Sequence, residues 1–317
     1  MRSNTMNKHI SRKAFLKGSL ALTAGLLLGK FNSLAEAAST EKAWPKAPDQ
    51  ATGDTAMSFL FDRTPIEPVQ VFDNLYYIGS ISVSQFVVRT SKGLILIDSG
   101  WDEADADYAA ESMKKLGLDP AATKYILLTH GHSDHYGGAQ FFKDKYAPKA
   151  KIAMNLVDSN WDAVIPTEKG GFGGVRPKLD MYLEDKQVVT LGDTNIYIVL
   201  TPGHTPGCVS MIVPVTDHGE KHTVAIWGGT GTPANLEMNY LYLSAVNYFA
   251  QFTELHHVDV EMSAHGWVDD TFTRLEQLKN RQPGQPHPFV IGQDKYRAYE
   301  QKFRTMAEKA IDSFAKK

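Results

Sequence analysis

The feature that most constrains this chain is a polar cluster that directly follows an apolar run typical of a buried strand. Residues 125–129 read Tyr-Ile-Leu-Leu-Thr, and residues 130–135 read His-Gly-His-Ser-Asp-His. The cluster therefore lies at the carboxyl end of a predicted strand, where α/β folds place their sites. Four potential metal ligands fall within six positions: His130, His132, Asp134 and His135. This density predicts a metal site, because clustered buried histidines without a metal would leave many polar atoms unpaired.

The spacing of these four residues indicates how they could surround a metal. His130 and His132 are two positions apart, so an extended backbone points both side chains the same way. Asp134 and His135 fall where the chain turns into a helix, which directs them toward a neighbouring point. Neutral imidazole and carboxylate suit zinc, and also iron or manganese. The single cysteine, Cys208, excludes a cysteine cage and an internal disulfide.

Two further histidines occur in glycine-flanked turns after apolar strands. His204 lies in Thr-Pro-Gly-His-Thr-Pro-Gly at residues 201–207, and His265 lies in Ser-Ala-His-Gly at residues 263–266. Either one alone would more often be a structural turn residue. Together with the first cluster they complete six ligands, enough for two metal sites with three protein ligands each. Such sites keep positions open for water and substrate, as catalytic zinc sites do.

The rest of the chain alternates strand-like and helix-like segments. Strands are predicted at 93–98, 188–191, 196–200, 209–213 and 223–227, and helices at 103–116, 241–255, 272–279 and 294–314. Strands and helices interleave twice, which predicts an α+β fold of two β-sheets packed together with helices outside.

The N-terminus is predicted to be a cleavable export signal covering residues 1–37. A basic start precedes the apolar run 18–29, which at 12 residues is shorter than the roughly 20 that span a bilayer. Ala35-Glu36-Ala37 then fits a signal peptidase site. The stretch 11–17 resembles a twin-arginine signal with one arginine replaced by lysine. Residues 38–55 are interpreted as a polar lead-in and residues 56–317 as the folded domain. We therefore expect a periplasmic or secreted protein with no membrane attachment after cleavage.

The charge distribution argues against a nucleic-acid partner. Residues 1–37 carry six basic side chains and one acid, so the remainder, with 27 basic and 35 acidic side chains, is acidic. Binding to phosphate backbones requires a basic face. The expected partner is a small-molecule substrate, and the sequence contains no signal of an oligomeric state.

These motifs together resemble the metallo-β-lactamase superfamily. The resemblance rests on His-x-His-x-Asp-His at 130–135, Asp98 at the end of a buried strand, the turn at 201–207 and Ala-His-Gly at 264–266. It implies a four-layer αβ/βα sandwich of two mixed β-sheets with two zinc ions at one edge. Carried over by position, His130, His132 and His204 would hold one zinc, and Asp134, His135 and His265 the second. Asp98 would orient a ligand histidine or the His-x-His turn.

The turn at residues 227–231 indicates which branch of the superfamily is most similar. Glyoxalase II-like thioesterases and lactonases carry a metal-bridging aspartate in a Gly-Asp-Thr turn, but here the turn reads Trp-Gly-Gly-Thr-Gly. The first two subclasses of class B β-lactamases use a cysteine ligand, and Cys208 is wrongly placed for that role. The third subclass has neither feature, and its pattern matches this chain.

The resemblance to that subclass implies a zinc-dependent hydrolase in which a metal-bound hydroxide opens a cyclic amide, most simply a β-lactam ring. Asp134 would also orient the attacking hydroxide. Thr230 and Thr232 are candidates to bind a substrate carboxylate, and Phe172, in the glycine-rich segment 170–174, is a candidate to close over the substrate.

Two alternatives stay open. The same ligands could serve a dizinc hydrolase that acts on a lactone, ester or thioester. The chain could also be an exported metal-binding protein without turnover.

Overall fold

Two β-sheets organise the described part of the chain, which comprises residues 58–160 and 175–316 of a computed structural model. The predicted export signal, the lead-in and Phe172 lie outside these residues, so their roles stay predictions. No helix within the described ranges combines the length and the apolar character that crossing a membrane requires.

The first sheet has seven strands in chain order. Strands β1 to β4 pair antiparallel, and β4 to β7 pair parallel. The strands are β1 (Val69–Phe72), β2 (Leu75–Tyr77), β3 (Phe86–Thr90), β4 (Gly93–Ile97), β5 (Thr123–Leu127), β6 (Lys151–Met154) and β7 (Met181–Tyr182).

The second sheet has five strands in the order β12-β11-β10-β9-β8. Its strands pair antiparallel except for β11 and β12, which are parallel. They are β8 (Val188–Leu191), β9 (Thr194–Leu200), β10 (Val209–Asp217), β11 (Glu220–Trp227) and β12 (Val260–Ser263). Both sheets are therefore mixed.

Seven α-helices lie wholly within the described ranges. They are α1 (Glu103–Lys115), α2 (Ser133–Tyr136), α3 (Ala139–Tyr146), α4 (Leu156–Ser159), α5 (Leu236–Leu255), α6 (Thr271–Lys279) and α7 (Gln293–Ala315).

The alternation of side chains along the strands builds the layers. In β4, Ile95 and Ile97 join a core shared with second-sheet residues such as Met211 and Ile226. Leu94 and Leu96 point to the opposite face, where they pack in a cluster with α1 and α3. Successive strand side chains point to opposite faces, so one run of five residues supplies two cores.

The second sheet is covered on its outer face in the same way. Val199, Ile212 and Ala225 pack there against α5 and α7, whose contributions include Phe249 and Phe303. The order of layers is helices, sheet, sheet, helices. This confirms the predicted α+β fold and the four-layer sandwich of two mixed sheets.

The predicted elements are present, and several extend further than predicted. Strands β10 and β11 form one long hairpin, pairing from Met211 with Ile226 out to Asp217 with Glu220. Helix α5 begins at Leu236, where the side chain of Asn235 accepts a hydrogen bond from the backbone of Met238. The short strands β6 and β7, of four and two residues, were not predicted.

Candidate metal centre

The first set of three histidines comes from two loops at one edge of the sandwich. His130 and His132 lie between β5 and α2, and His204 lies between β9 and β10. The Nε2 atom of His130 is 3.0 Å from Nδ1 of His132, which is 3.0 Å from Nε2 of His204. The structure thus brings together the three nitrogens predicted as the first ligand set.

The second set joins the same first loop to the loop after β12. His135 Nε2 lies 3.3 Å from His265 Nε2 and 3.2 Å from Oδ2 of Asp134. The Asp134 Oδ2 atom is 3.6 Å from His265 Nε2. All three residues are buried. The six predicted residues therefore meet as two groups of three, although they come from positions as far apart as 130 and 265.

The two sets are neighbours. The rings of His130 and His135, one from each set, have their centroids 4.0 Å apart. Such closeness of two groups of three ligands is what a two-metal hydrolase requires, because its two ions must both reach one substrate.

The donor atoms fit zinc in both kind and spacing. Tetrahedral zinc with bonds of about 2.0–2.1 Å places its nitrogen or oxygen ligands about 3.3 Å apart. The five spacings given above, 3.0–3.6 Å, lie near this value.

The ring nitrogens that point away from each set also have partners. Nδ1 of His204 donates to the carbonyl oxygen of Gly231 at 2.7 Å, and Nδ1 of His265 donates to the carbonyl oxygen of Ser82 at 2.7 Å. These hydrogen bonds fix the tautomer that leaves Nε2 free to bind a metal.

Burial keeps most of these histidines neutral. It lowers the pKa of His132 to about 3 and that of His265 to about 4, and nearby histidines add to the effect. Burial also lowers the pKa of His130 and His204 below the ordinary value. The neutral ring is the form that binds metal, so these four side chains are ready ligands at neutral pH.

His135 and Asp134 behave as a coupled pair. Burial opposes charge on His135, but the carboxylates of Asp134 and Asp98 outweigh it and raise the pKa of His135 to about 10. Burial likewise favours the neutral form of Asp134, but His135 and His265 outweigh it and lower its pKa. A cation bound here would replace the His135 proton, so metal binding is expected to release it.

Asp98 directly follows β4. From the sequence it was expected to orient a ligand histidine or the His-x-His turn, and it contacts both regions. Its carboxylate accepts hydrogen bonds from the backbone N–H of Thr129 at 2.8 Å and from Nδ1 of His135 at 2.8 Å. Its backbone φ is 56°, a left-handed conformation that is uncommon for residues other than glycine. That conformation turns the chain at the strand end, and the side chain points into the buried site.

A second buried carboxylate at the site, Asp158 in α4, was missed from the sequence. Its oxygens accept hydrogen bonds from Gly131 in the first loop and from Thr205 and Gly207 in the loop of His204. No motif marks this residue. The one available signal is its position just after β6, a neighbour of β5 in the sheet.

The turn after β11 lies directly against His204. A Cβ atom at Gly229 would lie 2.4 Å from Cβ of His204 and 3.0 Å from Sγ of Cys208, so the backbone leaves no room for a side chain there. Cys208 is buried, and burial raises the pKa of its thiol. Thr230 is 5% exposed and Thr232 is partly exposed, both in this turn, whereas Phe172 is outside the described residues.

Comparison with known proteins agrees with this geometry. Residues 78–217 match the Metallo-beta-lactamase superfamily. The solved structure of BJP-1, a subclass B3 metallo-β-lactamase of Bradyrhizobium japonicum, is similar with a TM-score of 0.64 and 27% sequence identity. The similarity covers 82% of this chain and 96% of that one. A variant of FEZ-1, a metallo-β-lactamase from Legionella gormanii, is also similar, with a TM-score of 0.66 and 26% identity over 80% of this chain and 95% of that one. These similarities confirm the resemblance to metallo-β-lactamases predicted from the sequence.

Two curated relatives with other names match part of this chain. Glyoxylase B2 of Dictyostelium discoideum is 33% identical over 34% of this chain and 37% of its own length. Hydroxyacylglutathione hydrolase GloC of Haemophilus influenzae is 30% identical over 44% of this chain and 65% of its own length. The matched segments therefore cover about a third of the length of the first relative and about two thirds of the length of the second.

Proposed function

We propose that this chain, whose residues 78–217 match the metallo-β-lactamase superfamily, is an exported dizinc hydrolase that opens the ring of a β-lactam. The observation that carries the proposal is the pair of adjoining three-residue sets. Each set has three protein ligands, which leaves room for water and substrate. The contact between His130 and His135 places the two sets against one another.

The chain's own residues have separate tasks in this reaction. Bound zinc would lower the pKa of a water toward about 7 and polarise the substrate carbonyl. Asp134, whose carboxylate stays ionised beside His135 and His265, would accept a hydrogen bond from the attacking water and so orient it. Thr230 and Thr232 would donate hydrogen bonds to a carboxylate of the substrate.

The turn at Gly229 supports a β-lactam as the substrate. Glyoxalase II-like enzymes need a bridging carboxylate at this position, but a side chain at Gly229 would collide with His204 and Cys208. Similarity to the solved structure of the subclass B3 enzyme BJP-1 extends over 96% of that chain.

A second candidate is hydrolysis of a thioester, ester or lactone by the same residues. The 30% identity to hydroxyacylglutathione hydrolase GloC favours it. This alternative keeps the metal ligands and changes only the substrate.

A substrate panel and metal analysis test the proposal together. Purified chain lacking residues 1–37 would be loaded with zinc and assayed against nitrocefin, a carbapenem, an acyl-homoserine lactone and a glutathione thioester. We expect close to two zinc ions per chain and β-lactam turnover that a chelator abolishes and zinc restores. The variant His130→Ala, assayed in parallel, would show whether turnover comes from this site.

Other results would contradict the proposal in distinct ways. Turnover of only the lactone or thioester would favour the second candidate. Two bound zinc ions without hydrolysis of any substrate would favour a metal-binding protein without turnover. Cleavage after Ala37 in cells, determined by N-terminal sequencing of the mature protein, would test export separately.

A further inference from the structure

A single buried carboxylate connects the two loops that carry the first histidine set. We infer that Asp158 is a positioning residue that holds His130, His132 and His204 at the spacing a metal needs. This inference rests on the proposed function, since it assigns a task within the same metal site. Asp158 is 1% exposed and lies in α4, outside both loops that it contacts.

Each oxygen of Asp158 has a defined partner. Oδ2 accepts a hydrogen bond from the backbone N–H of Gly131 at 2.8 Å and from the hydroxyl of Thr205 at 2.6 Å. Oδ1 accepts one from the backbone N–H of Gly207 at 2.6 Å. Gly131 stands between His130 and His132, and Thr205 follows His204. One side chain therefore sets the position of all three ligands without touching the metal.

The glycines that donate to Asp158 allow this close approach. A Cβ atom at Gly131 would lie 3.0 Å from the carbonyl oxygen of Asp158, and one at Gly207 would lie 2.7 Å from its backbone nitrogen. At Gly207 a side chain would also lie 2.6 Å from Oδ1 of Asn155. Both loops thus pack directly on α4.

The ionised form of Asp158 is the one that suits its partners. Burial raises its pKa, but the three donated hydrogen bonds stabilise the charged form. A carboxylate offers only acceptors, and donors face both of its oxygens here. An asparagine would direct its NH₂ group at one or more of these donors, so a substitution of the same shape cannot reproduce the contacts.

Asp158→Asn tests the inference by metal binding, with no substrate present. Zinc affinity would be measured for both equivalents by competition with a chromophoric chelator. The visible spectrum of the cobalt-loaded protein would report the ligand geometry. We expect one of the two zinc ions to bind about 10–100-fold more weakly, which is the usual effect of losing a hydrogen-bond partner that orients a metal ligand. The other zinc ion should bind as in the wild type. The cobalt bands of the weakened site would shift.

Asp259→Asn is the matched control. Its carboxylate is partly buried and accepts hydrogen bonds from two neighbours, Nδ1 of His222 and the backbone N–H of Thr223. Asp259 precedes β12, so it lies at the end of that strand away from His265. We expect both variants to lose thermal stability, and only Asp158→Asn to lose zinc affinity. Unchanged affinity for both equivalents in Asp158→Asn would overturn the inference.

A second variant keeps the test decisive if Asp158→Asn does not fold. Thr205→Val preserves shape and removes one of the three donors, so we expect the same equivalent to weaken by a smaller factor, about 3–10-fold. Wild-type zinc affinity in this variant would overturn the inference. A wild-type protein that binds no zinc at all would instead overturn the proposed function, so the two failures are distinguishable.

Discussion

The Asp98 carboxylate accepts a hydrogen bond from Nδ1 of His135 at 2.8 Å, and the same carboxylate binds the backbone N–H of Thr129. Thr129 directly precedes His130. One side chain therefore connects the second set to the strand end that carries the first. Asp98 is almost completely buried, so these hydrogen bonds satisfy carboxylate oxygens that water does not reach.

Asp98→Asn is expected to weaken zinc binding at the second set. The amide keeps the shape of the carboxylate but loses its charge, and its NH₂ group cannot accept from either His135 or Thr129. We expect about a 10–100-fold loss of zinc affinity at one equivalent and of activity, measured by chelator competition and steady-state kinetics. Asp119→Asn, an exposed carboxylate that caps a short 3-10 turn, is the control. Equal zinc affinity in Asp98→Asn and wild type would show that the contact has no such effect.

His204→Ala is expected to reduce the zinc content from two ions to one. The substitution removes one of three ligands from the first set while leaving the second set complete. Mutating a residue that only hydrogen-bonds a metal ligand reduces activity by at most about 100-fold. Because His204→Ala removes a ligand itself, its activity should fall by more than this. His256→Ala serves as the control, since His256 packs on Tyr197 outside the site. Two tightly bound zinc ions in His204→Ala, by elemental analysis, would exclude His204 as a ligand.

Gly229→Ala is expected to disturb the first set although it adds only a methyl group. The added Cβ would lie 2.4 Å from Cβ of His204, so the histidine or the turn must move. Gly231→Ala is a close control, because its Cβ would meet the His204 ring at an ordinary 3.5 Å.

Overpacking of this kind costs about 1–3 kcal/mol. We expect a lower unfolding midpoint and weaker zinc binding for Gly229→Ala, and values near wild type for Gly231→Ala. Urea denaturation of the zinc-loaded variants measures the first effect. Matching results for the two variants would contradict the steric account.

Local pattern was enough to predict the cluster of possible ligands at residues 130–135 and the layers. The His-x-His-x-Asp-His spacing is set by six consecutive positions, and the alternation along β4 assigns Ile95 to one core and Leu96 to the other. The ligand spacing and the side-chain alternation both follow from the local backbone conformation, which residues close in sequence determine. The pairing of His135 with His265 followed from a family resemblance and not from the spacing.

Contacts between distant segments could not be read in this way. Asp158 accepts hydrogen bonds from Gly131, 27 positions before it, and from Gly207, 49 positions after it. These contacts form only when both loops pack on α4. The steric limit at Gly229 likewise comes from the position of His204 and Cys208, which the glycine itself does not reveal.

Asp269 is expected to make the metal-free protein less stable as the pH rises. Burial raises its pKa from 3.8 to about 7, and the charge of Glu261 adds to this. Arg274 and hydrogen bonds from Thr271 and Ser263 act in the opposite direction. A carboxyl group with a raised pKa in the folded state contributes stability that is complete below about pH 3.8 and is lost as the pH rises through 7.

The comparison with Asp269→Asn isolates this contribution, because the amide does not titrate. Each pH unit between 5 and 7 changes the free energy of unfolding by at most about 1.4 kcal/mol, so wild type should lose up to roughly 3 kcal/mol relative to the variant between pH 5 and pH 8. Urea denaturation of the metal-free proteins at both pH values measures the difference. Asp312→Asn, an exposed side chain of α7, should track wild type at both. A constant difference between wild type and Asp269→Asn would mean that Asp269 keeps one protonation state over this range.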